Sequence, residues 1–152
     1  MPTKARRTEG ASTARARPRQ GLDFATMMSI ERISDPVVSP DGRFAVYLVT
    51  RPDLEENEMR RTLWLLDLES GEIRELTPGP GNHSDPAWSP DGAHLAFAST
   101  RDDEEGKQIW VLPLAGGEAR RVTSGYGGAN NPLWAPDSRR IVFWPNVCRN
   151  RR

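Results

Sequence analysis

The sequence predicts an all-β protein, an incomplete β-propeller of about two and a half four-stranded blades with a disordered N-terminal tail and a short entry helix. Three observations carry this expectation. The first is self-similarity. Ser34-Asp35-Pro36-Val37-Val38-Ser39-Pro40-Asp41-Gly42 returns as Ser84-Asp85-Pro86-Ala87-Trp88-Ser89-Pro90-Asp91-Gly92, and again as Asn130-Asn131-Pro132-Leu133-Trp134-Ala135-Pro136-Asp137-Ser138. Pro40 to Pro90 is 50 residues and Pro90 to Pro136 is 46, a period that signals stacked repeats of one small unit. The second is the turn chemistry inside each copy. Ser-Pro-Asp-Gly suits a type I turn, in which proline presets φ and glycine accepts the conformation that re-enters a strand. The third is a series of short runs with strand character, about four per copy, each near the usual strand length of ~5 residues.

The elements follow in order. Residues 1–20 hold six Lys or Arg, one Glu, no aromatic and no long aliphatic side chain. Such a segment buries too little surface to offset chain entropy and reads as a disordered basic tail. Residues 21–33 form an entry segment with a short helix. Blade 1 is placed at 34–83, blade 2 at 84–129 and a partial blade 3 at 130–144, with an aberrant tail over 145–152. Trp64 to Trp110, Gly71 to Gly117 and Thr77 to Thr123 are each 46 residues. The four extra residues of the first copy therefore fall between Thr50 and Leu63, and the polar stretch Arg51–Glu58 reads as a loop where insertions cost little. In the second copy Leu95-Ala96-Phe97-Ala98-Ser99 is apolar on both faces, as a strand between two neighbouring sheets should be. Arg101–Lys107 is a charged loop, Ile109–Leu112 a third strand, Ala115–Glu118 a hairpin turn and Arg120–Thr123 a more polar outer strand.

Bulk properties narrow the function classes. The formal net charge is zero, but this conceals a tail of net +5 over 1–20, a body of net −8 over 21–148 and a basic end at Arg149, Arg151 and Arg152. The basic tail lacks the aromatic or helical pattern of a nucleic-acid binder, so nucleic acid is not an expected partner. Cys148 is the single cysteine, which rules out an internal disulfide. No apolar run approaches ~18 residues, and the N-terminus lacks the apolar core of a signal peptide. The expectation is a cytoplasmic chain without a membrane span.

The repeats resemble the N-terminal propeller of the prolyl oligopeptidase family of serine peptidases, especially its acylaminoacyl-peptidase and dipeptidyl-peptidase-like branch. The resemblance rests on Ile33–Pro36, Ser39–Gly42 and Ala45–Tyr47, then on Pro86–Gly92, Leu95–Phe97, Gln108–Leu112 and Gly116–Glu118. It covers about residues 23 to 144. TolB-like propellers use very similar repeats and are the alternative family. The first resemblance implies a propeller that does no chemistry and restricts access of short peptides to a covalently linked C-terminal α/β-hydrolase domain. That domain would carry a Ser-Asp-His triad and a G-x-S-x-G elbow. No G-x-S-x-G occurs in this sequence, and neither His83, read as inter-blade loop, nor His94, just after a turn, has the context of a triad histidine. The expectation is a truncated, non-catalytic propeller segment without cofactor or metal. The alternative is a TolB-like protein-binding module without a hydrolase. A third reading is a small interaction protein whose blades assemble with copies of themselves. Loss of the pattern after Phe143 reads as truncation of a longer sequence. An open ring with bare blade faces implies self-association of the isolated chain.

The residues singled out are the repeat positions Pro40, Asp41, Gly42, Pro90, Asp91, Gly92, Pro136 and Asp137, with Trp64, Trp88, Trp110 and Trp134. The tryptophans could form a peptide- or carbohydrate-binding set, but recurrence at equivalent positions favours packing between blades. Asp35, Asp85 and Asn131 precede inner-strand prolines and read as turn or blade-edge hydrogen-bonding groups. Glu55 and Glu56 could hold a substrate amine, as paired propeller glutamates do in some dipeptidyl-peptidase relatives; a solvated acidic loop is the simpler reading. Asp102–Glu105 lacks the alternating ligands and fixed glycine of a calcium loop. Nothing near Cys148 activates its thiol, and Trp144 breaks the repeat and has no assigned role.

Overall fold

The computed structural model describes residues 23–102, 106–125 and 127–145, with Phe24 and Ala25 described by their backbone alone. The expectations for the tail over 1–20, for Asp103–Glu105, and for residues 146–152 with Cys148 lie outside these residues. The entry helix is α1, Phe24–Met28. Asp23 caps it, its Oδ1 accepting from the Thr26 backbone N–H at 2.7 Å, as a free helical N–H requires. The bond from Thr26 holds the Asp23 carboxyl below the usual carboxylate range.

Two four-stranded antiparallel sheets follow. The first runs β1 (Arg32–Val38), β2 (Phe44–Asp53), β3 (Glu58–Asp67) and β4 (Ile73–Glu75), each strand beside the next. The second repeats this order with β5 (His83–Trp88), β6 (His94–Ser99), β7 (Gln108–Pro113) and β8 (Arg120–Arg121). A two-stranded sheet, β9 (Ala129–Trp134) with β10 (Ile141–Pro145), completes the described chain. Among the described residues the fold is an incomplete propeller of two full blades and half of a third, and no sheet closes on itself.

Two local expectations are corrected. The insertion in the first copy is not a loop over Arg51–Glu58. Pairing continues through Arg51↔Arg60, Pro52↔Met59 and Asp53↔Glu58, so the extra residues lengthen a hairpin whose tip is Leu54–Asn57. Asp53 Oδ1 gathers the Glu55 and Glu56 N–H groups at 3.1 and 3.2 Å, and Asn57 takes a φ of 53°, a value asparagine tolerates. His83 is likewise not in a loop. It opens β5 opposite Ser99 and is fully buried.

Each blade boundary is an apolar layer built from alternate strand positions. Between the first and second sheets, Val46, Leu48, Leu63 and Leu65 meet Leu95, Phe97, Trp110 and Leu112. The second sheet presents the counterparts of the first four, Ala96, Ala98, Ile109 and Val111, to Ala129, Trp134 and Ile141. The outer strands are tied on in the same way in both blades. Thr77 Oγ1 accepts from Leu63 N at 2.9 Å and Thr123 Oγ1 from Ile109 N at 2.8 Å.

The repeat turns are wired by their own side chains. Gly42 N donates to Ser39 O at 2.9 Å, and Gly92 N to Ser89 O at 2.8 Å. Ser39 and Ser89 donate their hydroxyls to Asp41 and Asp91 and accept from Phe44 N and His94 N, both at 2.9 Å. These serine bonds come first among the causes that hold Asp41 and Asp91 below the usual carboxylate range. In the third copy Ala135 has no hydroxyl. Asp137 keeps the backbone bond common to all three turns, accepting from Arg139 N at 3.0 Å as Asp41 does from Arg43 N and Asp91 from Ala93 N, and in place of the serine it accepts from Arg140 Nε at 2.9 Å. Ser138 adopts a φ of 55° where Gly42 has 74°, and its Oγ accepts from Asp91 N at 3.1 Å. The departure from glycine thus supplies a link between blades 2 and 3.

Candidate functional site

The first strands of the three sheets share one irregularity. Ser34 pairs with Leu48 and Val37 with Val46, so β1 carries one extra residue at Asp35-Pro36. The same bulge falls between Ser84 and Ala87 in β5. In β9 it falls between Asn130 and Leu133, which pair with Trp144 and Val142. Asp35, Asp85 and Asn131 take φ values of 51°, 56° and 50°. Only short polar side chains adopt this left-handed region readily, and a bulge re-aims the side chain it carries.

The three bulges line a cleft of about 830 Å³ walled by the Asp-Pro, Asp-Pro and Asn-Pro pairs, with Leu133 and Trp144 at one side. Ser34 donates to Asp35 Oδ2 at 3.1 Å and Ser84 to Asp85 Oδ2 at 2.8 Å. Lys107 Nζ donates to Ser84 Oγ at 3.0 Å. Lys107 and Arg61 line an adjoining polar recess together with Asp35 and Asp85. The cleft therefore presents two carboxylates and an amide on proline-stiffened backbone, with two cations beside them. Such a surface accepts hydrogen bonds from an amine or peptide N–H and donates to a carboxylate. Among the described residues no three His, Cys, Asp or Glu side chains come together to hold a metal ion.

The repeat tryptophans take two positions. Trp88 Nε1 donates to Val37 O at 3.1 Å, and Trp134 Nε1 to Ala87 O at 3.1 Å. Val37 and Ala87 are equivalent, so one indole crosses each described blade boundary to the inner strand of the preceding blade. Val38 holds the corresponding place in β1 and is 58 % exposed. Trp64 and Trp110 are the second pair, with Arg51 and Arg101 guanidinium groups 5.1 and 5.3 Å from their ring centres. Trp110 packs in the layer between the first two blades, whereas Trp64 belongs to neither apolar layer. Glu55 and Glu56 line a separate depression beside the β2–β3 hairpin and are not among the cleft residues. Pro40, Asp41, Gly42, Pro90, Asp91, Gly92, Pro136 and Asp137 sit in the three turns, also outside the cleft lining.

Trp144, Arg61 and Lys107 are cleft or recess residues that the repeat pattern did not single out. Trp144 has Leu48 and Ala98 as counterparts, so recurrence carries no signal for it. Its place in a strand paired to β9 is the clue.

Comparison with known proteins bears on this geometry. The family model described as the TolB beta propeller domain matches residues 20–147. Dipeptidyl-peptidase 5 of Porphyromonas gingivalis is 38% identical over 72 residues, which is 47% of this chain and 10% of that protein. The Tol-Pal system protein TolB of Alcanivorax borkumensis is 34% identical over 76 residues, or 50% of this chain and 16% of its own length. Among solved structures, the acylaminoacyl peptidase of Pyrococcus horikoshii aligns with a TM-score of 0.64 and 27% identity, covering 78% of this chain and 18% of that one. The chain thus spans between a tenth and a fifth of the length of these proteins.

Proposed function

Because the chain belongs to the TolB beta propeller domain family, we propose that it acts as the non-catalytic propeller segment of a peptidase-like protein, admitting short peptides along its inner cleft and gating their access to a hydrolase domain. The observation that carries the reading is the recurrent bulge, which brings Asp35, Asp85 and Asn131 to one cleft on stiff backbone. The likeness to two peptidases supports it. The chemistry of cleavage belongs to the hydrolase in this reading, and the propeller supplies selection by size and by end-group charge. The proposal places the chain in the cytoplasm. Among the described residues, no helix is long and apolar enough to cross a membrane.

The test has two arms. Purified chain incubated with a fluorophosphonate and with aminoacyl and acyl-peptide chromogenic substrates is expected to show neither labelling nor turnover. Short peptides with a free amino terminus are expected to shift the backbone amide resonances of Asp35, Asp85 and Asn131 in a saturable way, and Asp85→Asn to weaken the effect. Labelling of this chain, or peptides that leave those three amides unmoved, would overturn the reading. The likeness to TolB favours a second one, a protein-binding module without hydrolase; folded protein ligands, and not short peptides, would then shift the same residues.

A further inference from the structure

We propose that Arg61 and Lys107 bind the terminal carboxylate of a short peptide, so that the inner cleft takes zwitterionic peptides by both ends at once. The inference rests on the reading of the cleft as a peptide site and adds a second anchor to it. Lys107 lies 46 residues after Arg61, so the two cations hold equivalent places in blades 1 and 2. They share one polar recess of about 490 Å³ with Asp35 and Asp85. The lining of this recess comes from blades 1 and 2 and from Asn130 and Asn131 of β9. Each cation is fastened to the start of the following blade. Arg61 N donates to Asn82 Oδ1 at 2.8 Å, just ahead of β5. Lys107 O accepts from the N–H of Ala129, the first residue of β9, at 2.6 Å.

The charges in the recess are ordered. Lys107 Nζ donates to Ser84 Oγ at 3.0 Å, and the Ser84 hydroxyl donates to Asp85 Oδ2 at 2.8 Å. This chain holds the ammonium beside the carboxylates and uses one of its three N–H donors. Among the described residues, neither Lys107 nor Arg61 forms an ion pair. Lys107 is half-buried and Arg61 exposed. A guanidinium fork matches the two oxygens of a carboxylate, and an ammonium beside it adds a point charge. Two carboxylates and two cations in one recess leave half of the site unmatched by a ligand of a single charge. A short peptide with both ends free matches both halves, its amine at Asp35 and Asp85 and its carboxylate at Arg61 and Lys107.

Alanine peptides from the dipeptide to the pentapeptide, each as the free acid and as the C-terminal amide, are titrated into the isotopically labelled chain. At the length that binds best, the free acid is expected to bind about fivefold more tightly than its amide. It should also move the backbone amides of Arg61 and Lys107 together with those of Asp35, Asp85 and Asn131. Lys107→Met, and separately Arg61→Met, should bring the free acid close to the affinity of the amide and leave the amide where it was. An amide that ends in aspartate should bind like the alanine amide. Equal binding of acid and amide to the unaltered chain, with Asp35, Asp85 and Asn131 still shifting, overturns this proposal and leaves the peptide reading of the cleft intact. Peptides that leave those three amides unmoved overturn the peptide reading and this proposal with it. A gain for the aspartate amide that Lys107→Met removes also overturns the proposal, since the recess then reads acidic side chains. The comparison of acid with amide on the unaltered chain decides even if a variant fails to fold.

Discussion

At Thr77 a single hydroxyl oxygen decides whether a strand end is satisfied. The side chain is almost fully buried, and its Oγ1 is the acceptor for Leu63 N. Thr77→Val keeps the shape and strands a buried N–H, which costs about 2 kcal/mol. Thr77→Ser keeps the oxygen and loses one methyl, about 1 kcal/mol. Urea unfolding of the two variants checks this; valine tolerated as well as serine would remove the hydroxyl from the account. Single residues were unevenly legible in the sequence. The turn residues announce themselves because few side chains fit a type I turn and a left-handed exit. The acceptors of Trp88 and Trp134 do not, because Val37 lies 51 residues from Trp88 and Ala87 lies 47 from Trp134. Only the packing of one blade on another brings them together.

Elements are where the chain tolerates some glycine replacements and not others. Gly42 and Gly128 have φ values of 74° and 82°. A Cβ at Gly42 would meet nothing within 4 Å, whereas one at Gly128 would lie 2.6 Å from Lys107 O and 3.0 Å from Lys107 N. Gly42→Ala should therefore cost about 1 kcal/mol, the expense of the left-handed backbone alone. Gly128→Ala must also push apart the segments that lead into β7 and β9, and about 2–3 kcal/mol is expected. Equal melting temperatures for the two variants would contradict the close approach. The order of strands was legible because alternation and turn signals recur with the repeat. The long β2–β3 hairpin was not, because Pro52 and a run of charges read as loop. At this outer end of the sheet, proline and charge are compatible with pairing.

For the molecule as a whole, stability depends on blade boundaries, and one of them contains a titratable group. His83 packs edge-on against Phe97 with ring centres 5.6 Å apart. Neither ring nitrogen has a hydrogen-bond partner among the described residues. Burial, and then the Arg101 and Arg60 charges, push its pKa from 6.5 down to about 4. The folded state thus binds this proton less readily than the unfolded chain. The neutral ring leaves full stability above pH 6.5. Stability falls as the pH drops towards 4, by about 3 kcal/mol in all. His83→Leu should flatten the loss between pH 6.5 and 4.5 in urea titrations; an unchanged slope would place the sensitivity elsewhere. The far face of blade 3 leaves Leu133, Val142 and Trp144 at least half exposed. We expect the isolated chain to associate through them, and Val142→Lys to raise the monomer fraction in sedimentation while Arg139→Glu leaves it unchanged. The two described boundaries also carry the same bond between equivalent atoms of consecutive copies, an indole N–H to an inner-strand carbonyl. A gene that gains or loses one whole repeat between them regenerates this bond at the new junction, and only the apolar layer around it has to repack. Recombination can therefore change the blade count on the Trp-bearing side of an existing blade. At Val38 the donor is missing, and a blade added ahead of it would have to evolve its own contact.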